Sequence, residues 1–214
     1  MRQSAISFES KGVSLDGVLT TPQESSPPYP AVVVCHAHPT LGGNMDSPLV
    51  TAICSAADAR GFATLRFNFR GVGSSEGEFT NGDREHEDVK AALNVMKRWP
   101  DVDGKRLALV AYSFSAGVAL KGLKQTKAAG SLVLIAPPIS SLQGSRARRD
   151  KRPKLFIVGQ NDKIPPTAEL QRILDEMADP VNFAEIPGAD HGLIGHESRV
   201  ADRVAEFLTE SLNQ

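Results

Sequence analysis

Three residues stand where a relay of proton transfers could be built. Ser113 follows the run Leu107-Ala-Leu-Val-Ala-Tyr112 and leads directly into Phe114-Ser-Ala-Gly-Val-Ala-Leu120, a segment of mostly small residues. A strand that turns sharply into a helix lifts the hydroxyl at the junction above the sheet, the layout of a nucleophile elbow. The backbone is crowded two positions either side of such a serine, and small residues, Ala111 and Ser115, stand there. Ser113-Phe-Ser115-Ala-Gly117 offers a second frame with Ser115 as nucleophile, but it lies further from the strand end. A serine hydroxyl needs a base, and the base needs an acid to orient it. Asp162 follows the apolar run 155–159 and His191 follows the run 181–186. Both therefore stand just past the carboxyl ends of strands, on the rim where open α/β sheets gather their ligands. His196 is the second candidate base, further along its loop. Asp190 is the second candidate acid, although a side chain adjacent in sequence seldom folds back to the ring nitrogen that faces away from the nucleophile. Each residue alone also reads more plainly, Ser113 as a helix cap and Asp162 as a turn residue.

The elements that must position these residues are legible as apolar runs alternating with helical stripes. The runs occur at 31–35, 65–69, 107–111, 131–136, 155–159 and 181–186. Those at 31, 107, 131 and 155 are apolar throughout, as parallel strands covered on both faces are. Val50, Ile53, Cys54 and Ala57 share one helical face, with Pro48 in its first turn. Val89, Ala92, Leu93 and Met96 share another, in a segment that opens on Asp83, Glu85, Glu87 and Asp88 and closes on Lys97 and Arg98, so its charges complement the helix dipole. Leu170, Ile173, Leu174 and Met177 make a third stripe; Val200, Val204, Phe207 and Leu208 make a fourth. Two shorter runs, 5–9 and 14–19, are split by Lys11-Gly12 and predict an antiparallel hairpin on the sheet edge. The fold class is α/β: eight strands, mostly parallel, in one doubly wound sheet with helices on both faces. No repeat or linker interrupts residues 1–214, which read as one domain.

Composition excludes several classes. The chain has 214 residues, 41% hydrophobic and 23% charged, with a net charge of −1, which argues against a nucleic-acid binder. No window approaches the roughly 20 apolar residues that span a bilayer, so no membrane insertion is expected. Two cysteines, Cys35 and Cys54, cannot make a disulfide framework and read as free thiols of a reducing compartment, the cytoplasm.

Further along the rim, the sequence offers Val32-Val-Val-Cys-His36-Ala-His38-Pro39 with Gly42-Gly43-Asn44-Met45-Asp46, and then Phe62-Ala-Thr-Leu-Arg-Phe-Asn-Phe-Arg70-Gly71-Val72-Gly73-Ser74-Ser75-Glu76-Gly77. With the Ser113 elbow, Ala136-Pro137-Pro138, the Asp162 turn and Asp190-His191, these resemble the α/β-hydrolases over nearly the whole chain. The resemblance is to the small lidless serine-hydrolase group with bacterial members, whose elbows usually carry glycines where Ala111 and Ser115 stand. It implies an α/β-hydrolase sheet without a lid domain. The implied activity is cleavage of carboxylic esters, or thioesters, of short acyl chains through an acyl-enzyme. Ser113 would attack, His191 would carry the proton, and Asp162 would hold the imidazole. The backbone N–H groups of His38 and Phe114 would bind the oxyanion, each contributing roughly 3–4 kcal/mol to the transition state. Arg70 is implied as a structural brace. The expected partner is a small-molecule ester, with no cofactor, no metal and no nucleic acid. A peptidase or amidase with the same three residues, and a non-catalytic binding relic of the fold, are the alternatives.

Other motifs carry less. His36, His38 and Asp46 fall at no usual metal-ligand spacing. Arg70-Gly71-Val72-Gly73 lacks the lysine of a phosphate loop and the third glycine of a dinucleotide fingerprint. His86 sits among acids and reads as solvated. Arg146, Arg148, Arg149, Lys151, Arg152 and Lys154 crowd the segment 137–153 and its border. They read as a solvated loop or, more sharply, as an attractor of anions. That segment is too short for an amphipathic lid, which predicts an open, shallow site.

Overall fold

The computed structural model describes residues 2–143 and 145–212; Met1, Gly144, Asn213 and Gln214 lie outside it, and with them the two ends of the expected 1–214 domain and one position of the 137–153 segment. Eight strands form one sheet in the order β1-β2-β4-β3-β5-β6-β7-β8. β1 (Arg2–Ser10) and β2 (Val13–Thr21) are the edge hairpin, turned at Lys11 and Gly12, both with positive φ. β2 also pairs antiparallel with β4 (Ala63–Phe67). The others, β3 (Tyr29–Cys35), β5 (Val102–Tyr112), β6 (Ser131–Ile135), β7 (Lys154–Gly159) and β8 (Val181–Ile186), continue the sheet in parallel.

The apolar runs are continuous because alternate residues feed opposite cores. Ala31, Val33 and Cys35 of β3 join Leu107, Leu109 and Ala111 of β5 on one face, under α2 (Glu85–Arg98) and α3 (Phe114–Lys121). Val32 and Val34 join Ala108 and Val110 on the other, under α1 (Pro48–Asp58) and α6 (Glu197–Leu212). Each fully buried Val, Leu or Phe contributes about 1.5–3 kcal/mol, so the central strands are the most firmly fixed part of the molecule. Parallel strands also point every carboxyl end to one rim.

Several details depart from the sequence reading. β4 covers Ala63–Phe67 and stops short of Phe69, whose N–H is taken by the His36 side chain at 3.2 Å in place of a strand carbonyl, while Asn68 Oδ1 accepts from Met45 N at 2.8 Å. A short helix, α4 (Ile139–Leu142), and a single 3-10 turn (Arg146–Arg149) occupy the segment expected to be loop, and α5 (Thr167–Leu174) stops before Met177. The basic run is not uniformly solvated. Lys154 is 0% exposed, its Nζ donating to the Asp150 and Arg152 carbonyls, and Arg152 is clamped on Asp150 and the Thr126 and Ala129 carbonyls. A short cation run next to a strand start can be buried when backbone carbonyls converge on it, and only tertiary structure supplies those. His86 likewise leaves only 20% of its side chain exposed, because Gly122 lies against it.

Arg70 occupies a bracing position. It is 1% exposed and forks onto Asp88 of α2, while Ser10 of β1 donates to the same carboxylate at 2.6 Å. One buried pair thus ties the hairpin, the loop after β4 and α2 together; removing either partner alone would strand a buried charge, at about 3–5 kcal/mol.

Candidate active site

Ser113 sits between β5 and α3 with φ 53° and ψ −107°, outside the ordinary wells of an L-residue. Such a conformation costs about 1–3 kcal/mol and persists only where neighbours over-determine it. They do so here. The Ser113 N–H donates to Ile135 O at 2.8 Å, anchoring the turn to β6. Ser115 is wholly buried; its Oγ accepts from Tyr112 N at 2.7 Å and lies 3.0 Å from the carbonyl oxygens of Cys35 and Tyr112. Its hydroxyl is therefore spent on the backbone, and Ser113 is the serine left facing the rim.

His191 and Asp162 come to that hydroxyl from two neighbouring strand ends. Ser113 Oγ donates to His191 Nε2 at 2.8 Å, and His191 Nδ1–H donates to Asp162 Oδ2 at 2.9 Å. The Asp162 carboxylate is shut off from solvent, and its Oδ1 accepts from Ile164 N at 2.9 Å. Asp190 instead accepts from Gly192 N, and among the described residues the ring that bonds the Ser113 hydroxyl is that of His191, not His196. The two loops are held in register by close backbone approach. A Cβ on Gly159 would stand 2.5 Å from the Ala189 and Asp190 oxygens, so only glycine lets the His191 loop lie against the end of β7. Tyr112 adds a tie that the sequence reading missed: its hydroxyl lies 3.0 Å from His191 O and 3.1 Å from Gly192 O. Burial, with Asp162, Asp190 and Glu197 nearby, pushes the Tyr112 pKa up to about 12, so it stays a donor. No local pattern could have revealed it, because β6 and β7 separate β5 from β8.

The loop after β3 closes the rim opposite. His36 is buried and neutral: Nδ1–H donates to Ala37 O at 2.7 Å, Nε2 accepts from Phe69 N at 3.2 Å, and burial lowers its pKa to about 4. The His38 ring is held by Thr40 and Asn81, with Phe79 and Phe114 edge-on. Both imidazoles are thus engaged by protein groups instead of converging on a metal position. Gly43 must lack a side chain, since a Cβ there would meet Ala37 O at 2.3 Å, and its N–H ties to His38 O. The backbone N–H groups of His38 and Phe114 donate to no acceptor among the described residues, and that of Phe114 opens α3, where a helix leaves its first donors free. Asn81 was not anticipated; it is presented by a turn that Glu85 holds through Thr80 and Gly82.

The site is roomier than the shallow one expected. A cavity of about 990 Å³ opens beside Ser113, walled by Phe114 and Val118 of α3 on one side and by Pro138, Ser140, Ser141 and Arg146 on the other. The short segment does not form a lid, but Ser140 and Ser141 of α4 line the cavity, which its length alone did not foretell. Leu41 and Ile164 lie at the rim, 85% and 55% exposed, so the mouth stays wet.

Comparison with known proteins identifies the fold. The chain is 29% identical to an alpha-beta serine hydrolase homologue from Coxiella burnetii, with a TM-score of 0.81 over 96% of this chain and 97% of that one. A lidless serine hydrolase from Xanthomonas campestris superposes at a TM-score of 0.83 with 25% identity, covering 100% and 97%. An uncharacterized protein of Rickettsia prowazekii is 27% identical over 175 residues, covering 78% of this chain and 73% of that protein. The alpha/beta hydrolase domain model matches residues 30–210, and with the sheet order and lidless build it shows that the chain belongs to the alpha/beta hydrolase family.

Proposed function

We propose that the protein is a serine esterase that cleaves carboxylic esters, or thioesters, of short acyl chains through an acyl-enzyme. The observation that carries this reading is the unbroken hydrogen-bond chain Asp162–His191–Ser113 at the floor of a cavity. Ser113 Oγ attacks the carbonyl carbon while its proton passes to His191 Nε2. The oxyanion takes the free N–H groups of His38 and Phe114. The alkoxide or thiolate then leaves with the proton from His191. Water enters, gives a proton to His191 and attacks the acyl carbon; Ser113 departs with that proton and the acid is released. Asp162 remains ionised throughout, holding the imidazole and stabilising its charged form. Among neutral acyl chains short ones fit best, because Leu41 and Ile164 at the mouth are largely exposed and leave a longer chain partly wet. No cofactor enters these steps. Two free, buried thiols, Cys35 and Cys54, accord with work in a reducing compartment, the cytoplasm.

The test is labelling with a fluorophosphonate probe together with hydrolysis of 4-nitrophenyl acetate. A single labelled serine, Ser113, and a loss on the order of 10⁴–10⁶ in kcat for Ser113→Ala in a folded protein are expected. No label and no turnover would leave the chain a non-catalytic relic of its family.

A further inference from the structure

The cavity is longer than an ester group needs, and its two ends differ in chemistry. One wall is the side of α3 turned to the cavity, where Phe114, Gly117, Val118 and Lys121 succeed one another at helical spacing. From Phe114 to Lys121 the helix rises about 10 Å, and Lys124 follows just past its end with a side chain long enough to reach back, so this wall carries the groove about that far from the elbow. The opposite wall follows the end of β6, which pairs with β5 beside Ser113, and includes Pro138, Ser141 and Arg146. Both walls therefore start at the nucleophile and finish in cations: Lys121 and Lys124 on one, Arg146 on the other. No carboxylate lines the cavity among the described residues. Lys121 is already partnered, by the exposed Asp83 at 2.8 Å. Lys124 and Arg146 pair with no acid among the described residues, whereas Arg148, Arg152 and Lys154 of the same basic run are all engaged elsewhere.

We infer that the groove is a substrate site for esters carrying an anionic group about 10 Å from the scissile carbonyl, held by Lys124 and Arg146. This rests on the esterase reading and names its substrate class. A neutral chain that reaches the far end meets hydrated charge and gains little. A carboxylate or phosphate at the same place gains two opposite charges across a low-carboxylate groove. Two such exposed pairs, each on the order of twofold to fivefold, give a preference of about tenfold at low ionic strength.

The experiment compares kcat/KM for mono-4-nitrophenyl suberate with that for its methyl-capped, uncharged ester. A mirrored arm uses acetoxyoctanoate against methyl acetoxyoctanoate, so that the charge lies on the alcohol side. A preference of about tenfold for the charged member in either arm, shrinking with added salt, is expected. In the Lys124→Gln/Arg146→Gln double variant, whose side chains are on the surface, the ratio should fall to about one. Equal rates in both arms, or a ratio that survives in the double variant, would overturn the assignment even while 4-nitrophenyl acetate is turned over. Calorimetric titration of suberate against dimethyl suberate in the Ser113→Ala variant reads the same site without chemistry. Tighter suberate binding with no ester turnover would retire the esterase and leave the anion site; no difference in binding and no charged preference would remove the anion site alone.

Discussion

His36 serves the loop that carries His38 only while its ring is neutral, and acid should therefore loosen that loop. Its two ring nitrogens are fully used, one as donor to Ala37 O and one as acceptor from Phe69 N, and it has no exposed surface. A second ring proton would face the Phe69 N–H and leave a cation in a dry site. Burial, only partly opposed by the Ala37 carbonyl and the Asp16 carboxylate, lowers the pKa from 6.5 to about 4. In the unfolded chain the ring binds its proton at about pH 6.5, so between about pH 6.5 and 4 the unfolded state holds a proton that the fold refuses. The contribution is whole above that window and is lost as pH falls through it. The gap of about 2.5 pH units, at about 1.36 kcal/mol each, amounts to about 3 kcal/mol, a large share of the roughly 5–15 kcal/mol that holds a domain together. Other groups also lose stability in acid. Asp150 is one: burial would raise its pKa, but the hydrogen bonds from Arg152 outweigh this and hold it low. The assay is therefore a difference: urea unfolding of the wild type and of His36→Asn, whose amide can still donate to Ala37 but does not titrate, in steps between about pH 7 and 4. The wild type should be the more stable near pH 7, and its advantage should shrink by about 3 kcal/mol towards pH 4. Parallel stability curves for the two proteins across that window would refute the buried neutral ring.

Three further outcomes follow from the site. Asp162→Asn should lower kcat by about 10³–10⁴ with folding retained, because the amide favours the wrong imidazole tautomer; Asp190→Asn, which alters only a turn, should stay within about threefold, and the reverse order in nitrophenyl-ester assays would reassign the acid. Ser115→Ala should cost about 1–3 kcal/mol in urea unfolding by leaving the Tyr112 N–H unpaired inside the elbow, while single-serine probe labelling persists. For neutral nitrophenyl esters from acetate to palmitate, kcat/KM should flatten after the first few carbons, with each further methylene worth well under the 0.8 kcal/mol of full burial, and should not jump when micelles form. A maximum at palmitate would contradict the wet mouth.

Much of this architecture can be read from the residues because its physical causes are local. A strand covered on both faces must be apolar at every position, and residues 31–35, 107–111 and 155–159 announce themselves in that way. Ser113, Asp162 and His191 could be nominated because each directly follows such a run, and parallel strands carry all such positions to one rim. Asp162 could be preferred to Asp190 on reach alone. What stayed hidden depends on contacts between distant segments. Tyr112 meets the His191 loop across two intervening strands. Lys154 is buried because carbonyls of its own loop fold back on it, and α4 becomes a cavity wall because β6 delivers it there. Composition marks those residues as charged, or as short and polar, and says nothing of where they end.

The elbow shows how a local departure from the family pattern can be absorbed instead of impairing the turn. Glycine two residues before the serine avoids a Cβ in a crowded place, yet the Ala111 methyl lies in the core beneath α2 and α3, paired between Cys35 and Leu134. There it adds apolar contact in place of a clash. Two residues after the serine, a hydroxymethyl group would be intolerable if its oxygen were stranded, since a buried unsatisfied hydroxyl costs about 1–3 kcal/mol. Ser115 avoids this by capping the Tyr112 N–H and reaching the carbonyl of Cys35, so its oxygen ties the turn to the neighbouring strand. The strain at Ser113, φ 53°, is then held by three strands at once: β5 by covalent connection, β6 through Ile135, and β3 through Ser115. A turn fixed from three sides keeps its serine in an unfavourable conformation without needing the freedom of glycine on either side.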